Sequence, residues 1–131
     1  MYGVSEDPSE DCLHRIVLIL RDKMKINVER PAIECCFRIG QYERDKKRPI
    51  VLKFSSMYYK QLAYDNKKLL KSSGMVIRED LTQYKLKLLK DAITKMGRNA
   101  RVWTTNGTIF CKYDGEGRTV KIEKPSDIAK L

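Results

Sequence analysis

The dipeptide Asn106-Gly107 stands between two stretches in which apolar and polar residues alternate, Arg101–Thr105 and Thr108–Tyr113. Asn and Gly are the residues that best tolerate the positive φ angles of a type I′ turn, and such a turn matches the twist of the strands it joins. A two-residue turn also sets which residues face each other across the hairpin. The sequence therefore predicts a β-hairpin with a defined register near the C-terminus.

The predicted register places two cations beside two aromatic residues on one face of the hairpin. It pairs Trp103 with Phe110 and Arg101 with Lys112. In proteins that bind single-stranded nucleic acid, aromatic rings stack on bases and Lys or Arg side chains meet phosphates. Arg101, Lys112 and Trp103 are therefore candidate nucleic-acid-binding residues. The alternative is that Trp103 and Phe110 belong to the core and face the preceding helix, since tryptophan side chains are mostly buried.

Residues 80–131 are predicted to form one small unit around this hairpin. Thr82 is a candidate N-cap for a helix that ends at Gly97. The sequence after the hairpin predicts a third strand, Arg118–Ile122, and a short last helix, Asp127–Leu131. The helix before the hairpin has an apolar stripe for its buried face: Leu86, Leu89, Ile93 and Met96. The expected architecture is one helix packed on a three-stranded meander, with a short helix after it.

Residues 1–79 predict the order strand, helix, strand, strand, helix, strand. The first strand is expected to be truncated, with only its end at residues 1–4. Asp7 followed by Pro8 predicts the start of the first helix, and the second helix is predicted to be capped by Ser55 or Ser56 and to run to about Ser72. The remaining strands are predicted at Ile33–Ile39, Ile50–Phe54 and Met75–Arg78. This order predicts an α+β fold with a ferredoxin-like βαββαβ unit, followed by the helix-plus-three-strand unit.

Apolar spacing predicts which side chains of residues 1–79 are buried. The first helix has a stripe at Leu13, Ile16, Val17, Leu20 and Met24. The second is predicted to turn Tyr58, Leu62, Leu69 and Leu70 toward the core. In the strand that follows the first helix, alternation predicts that Ile33, Cys35 and Phe37 point inward, and that Cys36 and Arg38 point outward.

The stretch Lys46–Phe54 joins a basic cluster to a short strand, and it resembles part of the RNA-recognition-motif signature. With Phe54 aligned to a core position of that signature, the two positions that should hold RNA-facing aromatics hold Pro49 and Val51. We therefore expect an atypical RNA-recognition motif that binds RNA by charge rather than by ring stacking. The expected contacts are Arg38, Lys47, Arg48 and Lys53. The alternative is that these cations form an ordinary solvated surface.

The chain carries 27 basic and 17 acidic residues, a net charge of +10. Such an excess favours a polyanionic partner, first nucleic acid and then an anionic membrane, although it is also found in basic proteins that are merely soluble. No stretch of about 18 apolar residues is present, so no membrane span is predicted. Four cysteines without a C-x-x-C pair, and one histidine, predict reduced thiols in an intracellular protein, in the cytoplasm or nucleus, with no zinc site.

Catalytic motifs are absent from the sequence. It contains no G-x-S-x-G, no Walker loop and no H-E-x-x-H, and His14 has no nucleophile in a recognisable context. The glycines Gly115 and Gly117 are typical of a turn rather than of a phosphate-binding loop. We therefore expect a chain that is not an enzyme and needs no cofactor.

Three groups of residues, in this order, resemble the RNA-binding first open-reading-frame protein of LINE-type retrotransposons. The last group is also similar to the C-terminal part of the baculovirus few-polyhedra (FP) protein, which has transposon-derived relatives in arthropod genomes. The groups are Tyr2-Gly3-Val4; residues 36–40 with 47–54; and residues 79–82 with 101–103 and 106–113. The resemblance covers nearly the whole chain, and the order of the groups carries it rather than any single motif.

The resemblance implies an atypical RNA-recognition-motif domain at residues 1–79 and an FP-like C-terminal domain at residues 80–131. It implies non-catalytic binding of single-stranded RNA or DNA with little sequence preference, as a chaperone in a ribonucleoprotein. It also implies that Arg101 is needed for RNA binding, because the relatives need an arginine at that place. The relatives trimerise through an upstream coiled coil, so the resemblance implies a homo-oligomer formed through such a segment before residue 1. The similarity to the FP protein allows a different function, that of a protein-interaction or virion-structural module.

Overall fold

The computed structural model describes residues 1–131 and divides the chain into two compact units, Met1–Arg78 and Glu79–Leu131. We call these the N-terminal unit and the C-terminal unit; the sequence had suggested a boundary after residue 79. Both units combine helices with small antiparallel sheets, which confirms the predicted α+β class. No helix in the chain has the length and apolar character needed to cross a membrane.

The N-terminal unit contains two helices and two regular strands. They are α1 (Cys12–Asp22), β1 (Ile33–Arg38), β2 (Ile50–Phe54) and α2 (Met57–Asp65). Short 3₁₀ turns at Arg30–Ala32 and Lys67–Leu70 precede β1 and follow α2. The predicted stripe of α1 is confirmed, with Ile16, Leu20 and Met24 fully buried. These three side chains form the centre of a core that β1, β2 and α2 complete.

Helix α1 begins one turn later than the sequence predicts. Asp11, not Asp7, is its N-cap, and the Asp11 carboxylate accepts a hydrogen bond of 3.1 Å from the backbone nitrogen of His14. Asp7 instead caps a separate turn, in which its carboxylate accepts from Ser9 and its carbonyl accepts from Glu10. Two acidic residues four positions apart both offer an N-cap, and the turn at Asp7 leaves Glu10 free to pair elsewhere.

A β-bulge in β1 reverses the predicted faces of that strand. Ile33 pairs with Phe54 but Cys35 pairs with Lys53, so Glu34 is an extra residue on β1. One extra residue turns every later side chain to the other face, because side chains alternate along a strand. Cys36 and Arg38 therefore point toward the core, whereas Cys35 and Phe37 point away from it, the opposite of the prediction.

The N-terminal residues and the segment after α2 extend this sheet by single hydrogen-bonded contacts. The backbone groups of Tyr2 and Val76 exchange hydrogen bonds of 2.8 and 3.1 Å, and Ile50 donates to the Met1 carbonyl over 2.8 Å. The predicted strand Met75–Arg78 is therefore reduced to an isolated bridge. Gly3 explains the short pairing, because its φ of +80° ends the extended conformation immediately after Tyr2.

Helix α2 is shorter than predicted, and the side chains that it and the following turn bury differ from those predicted. It ends at Asp65, and the 3₁₀ turn that follows places Leu70 in the core and Leu69 in solvent. A 3₁₀ turn has three residues per turn rather than 3.6, so the helical spacing that predicted Leu69 as a core residue no longer holds. Tyr58, also predicted to be buried, is 69% exposed.

The C-terminal unit follows the predicted order of elements. It contains α3 (Gln83–Met96), β3 (Ala100–Thr105), β4 (Thr108–Tyr113), β5 (Val120–Ile122) and α4 (Pro125–Ala129). The three strands form one antiparallel sheet in the order β3-β4-β5. Thr82 caps α3 and Gly97 ends it, as predicted. The last helix begins two residues before the predicted Asp127, which instead accepts hydrogen bonds from the backbone nitrogens before the helix.

Helix α3 buries a face that is rotated from the predicted stripe. Its fully buried residues are Leu88, Ala92 and Met96, and Ile93 is 51% exposed. Ala92 is 0% exposed and lies on the buried side of α3. The predicted stripe was assigned from large apolar residues at helical spacing, so Ile93 rather than Ala92 was expected to be buried.

Candidate nucleic-acid interface

The hairpin of β3 and β4 has the register that the Asn106-Gly107 turn predicts. Trp103 pairs with Phe110 and Arg101 with Lys112. Both turn residues have positive φ angles, +49° and +75°, as a type I′ turn requires. We call the surface formed by Arg101, Trp103, Phe110 and Lys112 the hairpin face.

The aromatic pair of the hairpin face is partly open to solvent, with Phe110 half-buried. Trp103 is 37% exposed, and its ring stacks on that of Phe110 with centroids 5.9 Å apart and an angle of 25° between the planes. The opposite side of the hairpin packs in the core with α3 through Ile109 and Cys111, which are 1% and 0% exposed. The alternative that Trp103 and Phe110 face the preceding helix is therefore wrong.

A groove of about 800 Å³ opens beside the hairpin face. Arg101, Trp103 and Lys112 line it together with apolar residues of α3 and β3, including Ile93 and Val102. The Arg101 side chain is 77% exposed, and its Nε lies 3.9 Å from a carboxylate oxygen of Asp114. A pair so long and so exposed contributes little, so the guanidinium can reorient toward an anion.

Gly107, at the tip of the hairpin, is held by hydrogen bonds at its backbone nitrogen and at its carbonyl oxygen. The Gly107 nitrogen donates to the Glu79 carboxylate over 2.5 Å, and the Gly107 carbonyl accepts a hydrogen bond from the Lys85 ammonium group. Lys85 lies in the first turn of α3, so the hairpin is fixed to the helix at its tip as well as through the core. This arrangement pre-organises the hairpin face, which lowers the ordering cost of binding.

Arg38, predicted as a phosphate contact, is buried. Its side chain is 5% exposed and its Nε donates to a carboxylate oxygen of Glu10 over 2.7 Å. Its two terminal nitrogens donate to the backbone carbonyls of Val4, Ser5 and Arg48. The β1 bulge places Arg38 on the inner face, where all its nitrogens have partners. The prediction that Arg38 lies on the outer face is wrong.

Arg48 is also engaged inside the protein. Its guanidinium donates to the Glu6 carboxylate over 2.7 Å and to the Gly40 carbonyl over 2.8 Å, and it lies over the Tyr42 ring. The Glu6 side chain is 4% exposed and that of Arg48 25%. These contacts leave Arg48 few free donors for a phosphate. They tie the segment before α1 to the loop before β2.

Of the four cations predicted around Lys46–Phe54, Lys47 and Lys53 are exposed. Lys53 points away from the core, with its ammonium 3.4 Å from the Glu34 carboxylate. Lys47 lies in the loop between β1 and β2. Both remain candidate contacts for an anionic ligand.

The structure also exposes an apolar surface that sequence reasoning missed. Tyr2 and Val76 lie opposite each other and are 47% and 45% exposed, and Phe37, paired with Val51, is 51% exposed. Arg78 lies over the Tyr2 ring at 5.5 Å. We call the surface formed by Tyr2, Phe37, Val51 and Val76 the N-terminal sheet face. Only the bulge brings Phe37 to it, and a bulge has no clear signal in the sequence.

The two buried carboxylates of the N-terminal unit predict a loss of stability in acid. Hydrogen bonds from Arg38 and Arg48 hold the pKa values of Glu10 and Glu6 below the usual 4.5. A carboxyl group with a lowered folded-state pKa stabilises the fold above its unfolded value, and that contribution is lost as the pH falls through the folded-state pKa. We expect stability to fall progressively below about pH 4.5, as urea denaturation at several pH values would show.

The matched control for this prediction is Glu10→Gln, which keeps the shape of the side chain but cannot titrate. The variant should be less stable than the parent chain at pH 7, and the difference should shrink as the pH falls to about 3. A difference that stays constant with pH would contradict the assignment of the acid sensitivity to Glu10.

No group of three or more His, Cys, Asp or Glu side chains is arranged to hold a metal ion.

Comparison of the chain with protein-family models, with curated proteins and with solved structures found no match.

Proposed function

We propose that this chain binds single-stranded RNA or DNA through the hairpin face, without catalysis and with little sequence preference. The observation that carries the proposal is the Trp103–Phe110 stack, in which Trp103 is exposed and which has Arg101 and Lys112 beside it. An exposed stack of two rings offers a flat surface to a base, and the cations on the same face lie within reach of its phosphates. Every base has a π face, so such a site selects weakly among sequences.

The charge of the C-terminal unit supports an anionic ligand. The unit carries 11 basic and 7 acidic residues. Lys121 pairs with Phe110 across β4 and β5, so it extends the hairpin face by a third cation. Its ammonium is 2.7 Å from the Glu123 carboxylate in an exposed pair, which a phosphate can replace at low cost.

We further propose that the N-terminal unit has a ferredoxin-like arrangement of the RNA-recognition-motif type. Backbone hydrogen bonds join Val76 to Tyr2, Met1 to Ile50, and β2 to β1, which supports the spatial order fourth, first, third, second for the predicted strands. On this proposal the chain is an intracellular relative of the retrotransposon and FP proteins and acts in a ribonucleoprotein. In a longer chain an upstream coiled coil would bring several copies onto one strand and raise the avidity.

Alanine variants of the hairpin face should weaken binding to a labelled single-stranded RNA, measured by fluorescence anisotropy. We expect Trp103→Ala to reduce affinity by about 5- to 150-fold, the range found when one base loses its stacking partner. We expect Arg101→Ala to reduce affinity equally for several unrelated sequences. The plot of log affinity against log salt concentration has a negative slope. This slope should become shallower by about 0.7, because one phosphate contact is lost.

Two exposed residues of α3 serve as matched controls. Tyr84→Ala removes an aromatic ring and Lys87→Ala removes one positive charge, each away from the hairpin face. Affinity should be nearly unchanged in both. Equal losses for Arg101→Ala and Lys87→Ala would mean that net charge alone drives binding. The absence of any binding by the parent chain at low salt would reject the proposed function.

A protein-interaction function is the second candidate, and the N-terminal sheet face favours it. Phe37, Val51 and Val76 form an apolar surface, and Ile39 beyond the end of β1 is 47% exposed. Exposed apolar surfaces of this kind often mark protein contacts. The variant Phe37→Ala distinguishes the two functions. It should leave RNA affinity unchanged if this face binds protein, and reduce it if the face contributes stacking to nucleic-acid binding.

A further inference from the structure

Two cysteines that are far apart in sequence meet at the junction of α1 and β1. The sulfur atoms of Cys12 and Cys36 are 3.4 Å apart, in contact but not bonded. Cys12 is the first residue of α1, and Cys36 lies on the inner face of β1 because of the bulge. Both side chains are half-buried, so a small reagent can reach the pair.

We propose that Cys12 and Cys36 form a dithiol site that small disulfides of the glutathione class oxidise to an intrachain disulfide. From 3.4 Å, the sulfurs need to approach by about 1.4 Å to reach the S–S bond length of about 2.05 Å. Without the bulge Cys36 would lie on the other face of β1, and Cys35 would take its place. The proposal is independent of the proposed nucleic-acid binding, because neither cysteine belongs to the hairpin face.

The order of the two exchange steps follows from the surroundings of the two thiols. Burial, together with the hydrogen bond to Cys12, raises the pKa of Cys36 to about 12, so this thiol stays protonated at neutral pH. Cys12 therefore reacts first. Its thiolate attacks the small disulfide RSSR, which gives a mixed disulfide Cys12–S–SR and releases RS⁻.

The second step closes the ring within the chain. Cys36 loses its proton to solvent and its sulfur attacks the Cys12 sulfur, which displaces the second RS⁻. Two protein thiols are thereby oxidised to one disulfide, and RSSR is reduced to two thiols. Since both steps need a thiolate, the rate of disulfide formation should rise with pH.

The test is incubation of the full chain with oxidised glutathione, followed by alkylation of the remaining thiols and peptide mapping by mass spectrometry. The expected product is a monomer lighter by two hydrogen atoms, in which a peptide containing Cys12 is linked to one containing Cys36 and Cys35 is alkylated. Peptide mapping of the parent chain does not depend on any variant folding. A link to Cys35 or Cys111, a disulfide-linked dimer, or glutathione adducts that never close would each overturn the proposal.

The variants Cys35→Ser and Cys12→Ser form a matched pair. Cys35→Ser should still close the disulfide, at an unchanged rate, whereas Cys12→Ser should not lose two hydrogen atoms. Oxidation of the parent chain in urea is the control for geometry, because the preference for the Cys12–Cys36 link should disappear once the fold that brings the sulfurs together is lost. The same preference in urea would overturn the proposal.

Discussion

Replacing Arg38 by alanine is expected to lower the free energy of unfolding of the N-terminal unit by about 3 kcal/mol. The substitution leaves the Glu10 carboxylate, whose side chain is 9% exposed, without the guanidinium that binds both of its oxygens. It also removes the donor from the carbonyls of Val4, Ser5 and Arg48. Only the more exposed Arg15, which donates to Glu10 over 3.1 Å, then remains beside this carboxylate. Breaking a buried ion pair by removing one of its members is among the more costly defects in a fold. Urea denaturation followed by far-ultraviolet circular dichroism measures the change.

The control is Lys53→Ala on the neighbouring strand. Lys53 also pairs with a glutamate, Glu34, but both side chains are more than half exposed. An exposed pair of this kind contributes between about 0 and 1 kcal/mol. A similar loss of stability in the two variants would contradict the buried role of Arg38. The only tryptophan, Trp103, lies in the C-terminal unit, so tryptophan fluorescence follows that unit separately.

Replacing Gly3 by alanine should destabilise the N-terminal unit by more than about 2 kcal/mol. Gly3 has a φ of +80°, and the left-handed backbone conformation alone costs a residue with a side chain about 1–2 kcal/mol. A Cβ atom at this position would also lie 2.0 Å from the carbonyl oxygen of Gly74, so the backbone must move. That movement pulls Tyr2 away from Val76, the one hydrogen-bonded bridge between the two segments.

Gly40→Ala provides the comparison, because Gly40 has a similar φ of +90° but open space where a Cβ would stand. It should show only the conformational cost. The difference between the two variants therefore measures the steric contribution at Gly3. Amide hydrogen exchange, read by mass spectrometry on peptides from the first residues and from residues 70–78, should show faster exchange in Gly3→Ala alone. Equal stability of the two variants would mean that the close approach to Gly74 does not matter.

The hairpin could be predicted from the sequence in full, including its register, because all of its determinants are local. Two turn residues with positive φ angles and two alternating flanks are sufficient to set every pair from Thr105–Thr108 outward. The open side of the hairpin could not be predicted in the same way. Which face packs on α3 is decided by tertiary contacts, and the sequence alone left Trp103 as either a core residue or a surface residue.

The N-terminal unit shows where local patterns fail. The alternation in β1 is regular in the sequence, yet the extra residue Glu34 turns Arg38 inward and Phe37 outward. Whether a bulge forms depends on the tertiary contacts of the two faces of the strand. Here the inner face meets the Glu10 carboxylate and the outer face meets solvent. The set of candidate binding residues is therefore smaller than predicted. Lys47 and Lys53 remain available to a ligand, whereas Arg38 and Arg48 make contacts that stabilise the fold.

The bulge in β1 also has a consequence for evolutionary change by insertion or deletion. Removing the codon for Glu34 would restore regular pairing and leave Cys36 and Arg38 opposite Leu52 and Ile50 on the inner face, because only the extra residue of the bulge is lost. Removing one codon after Cys36 would instead move Arg38 by one position and turn its side chain to the outer face. When this strand is aligned with that of a distant relative that lacks the bulge, a gap of one position at Glu34 therefore keeps residues matched by the side of the sheet they occupy.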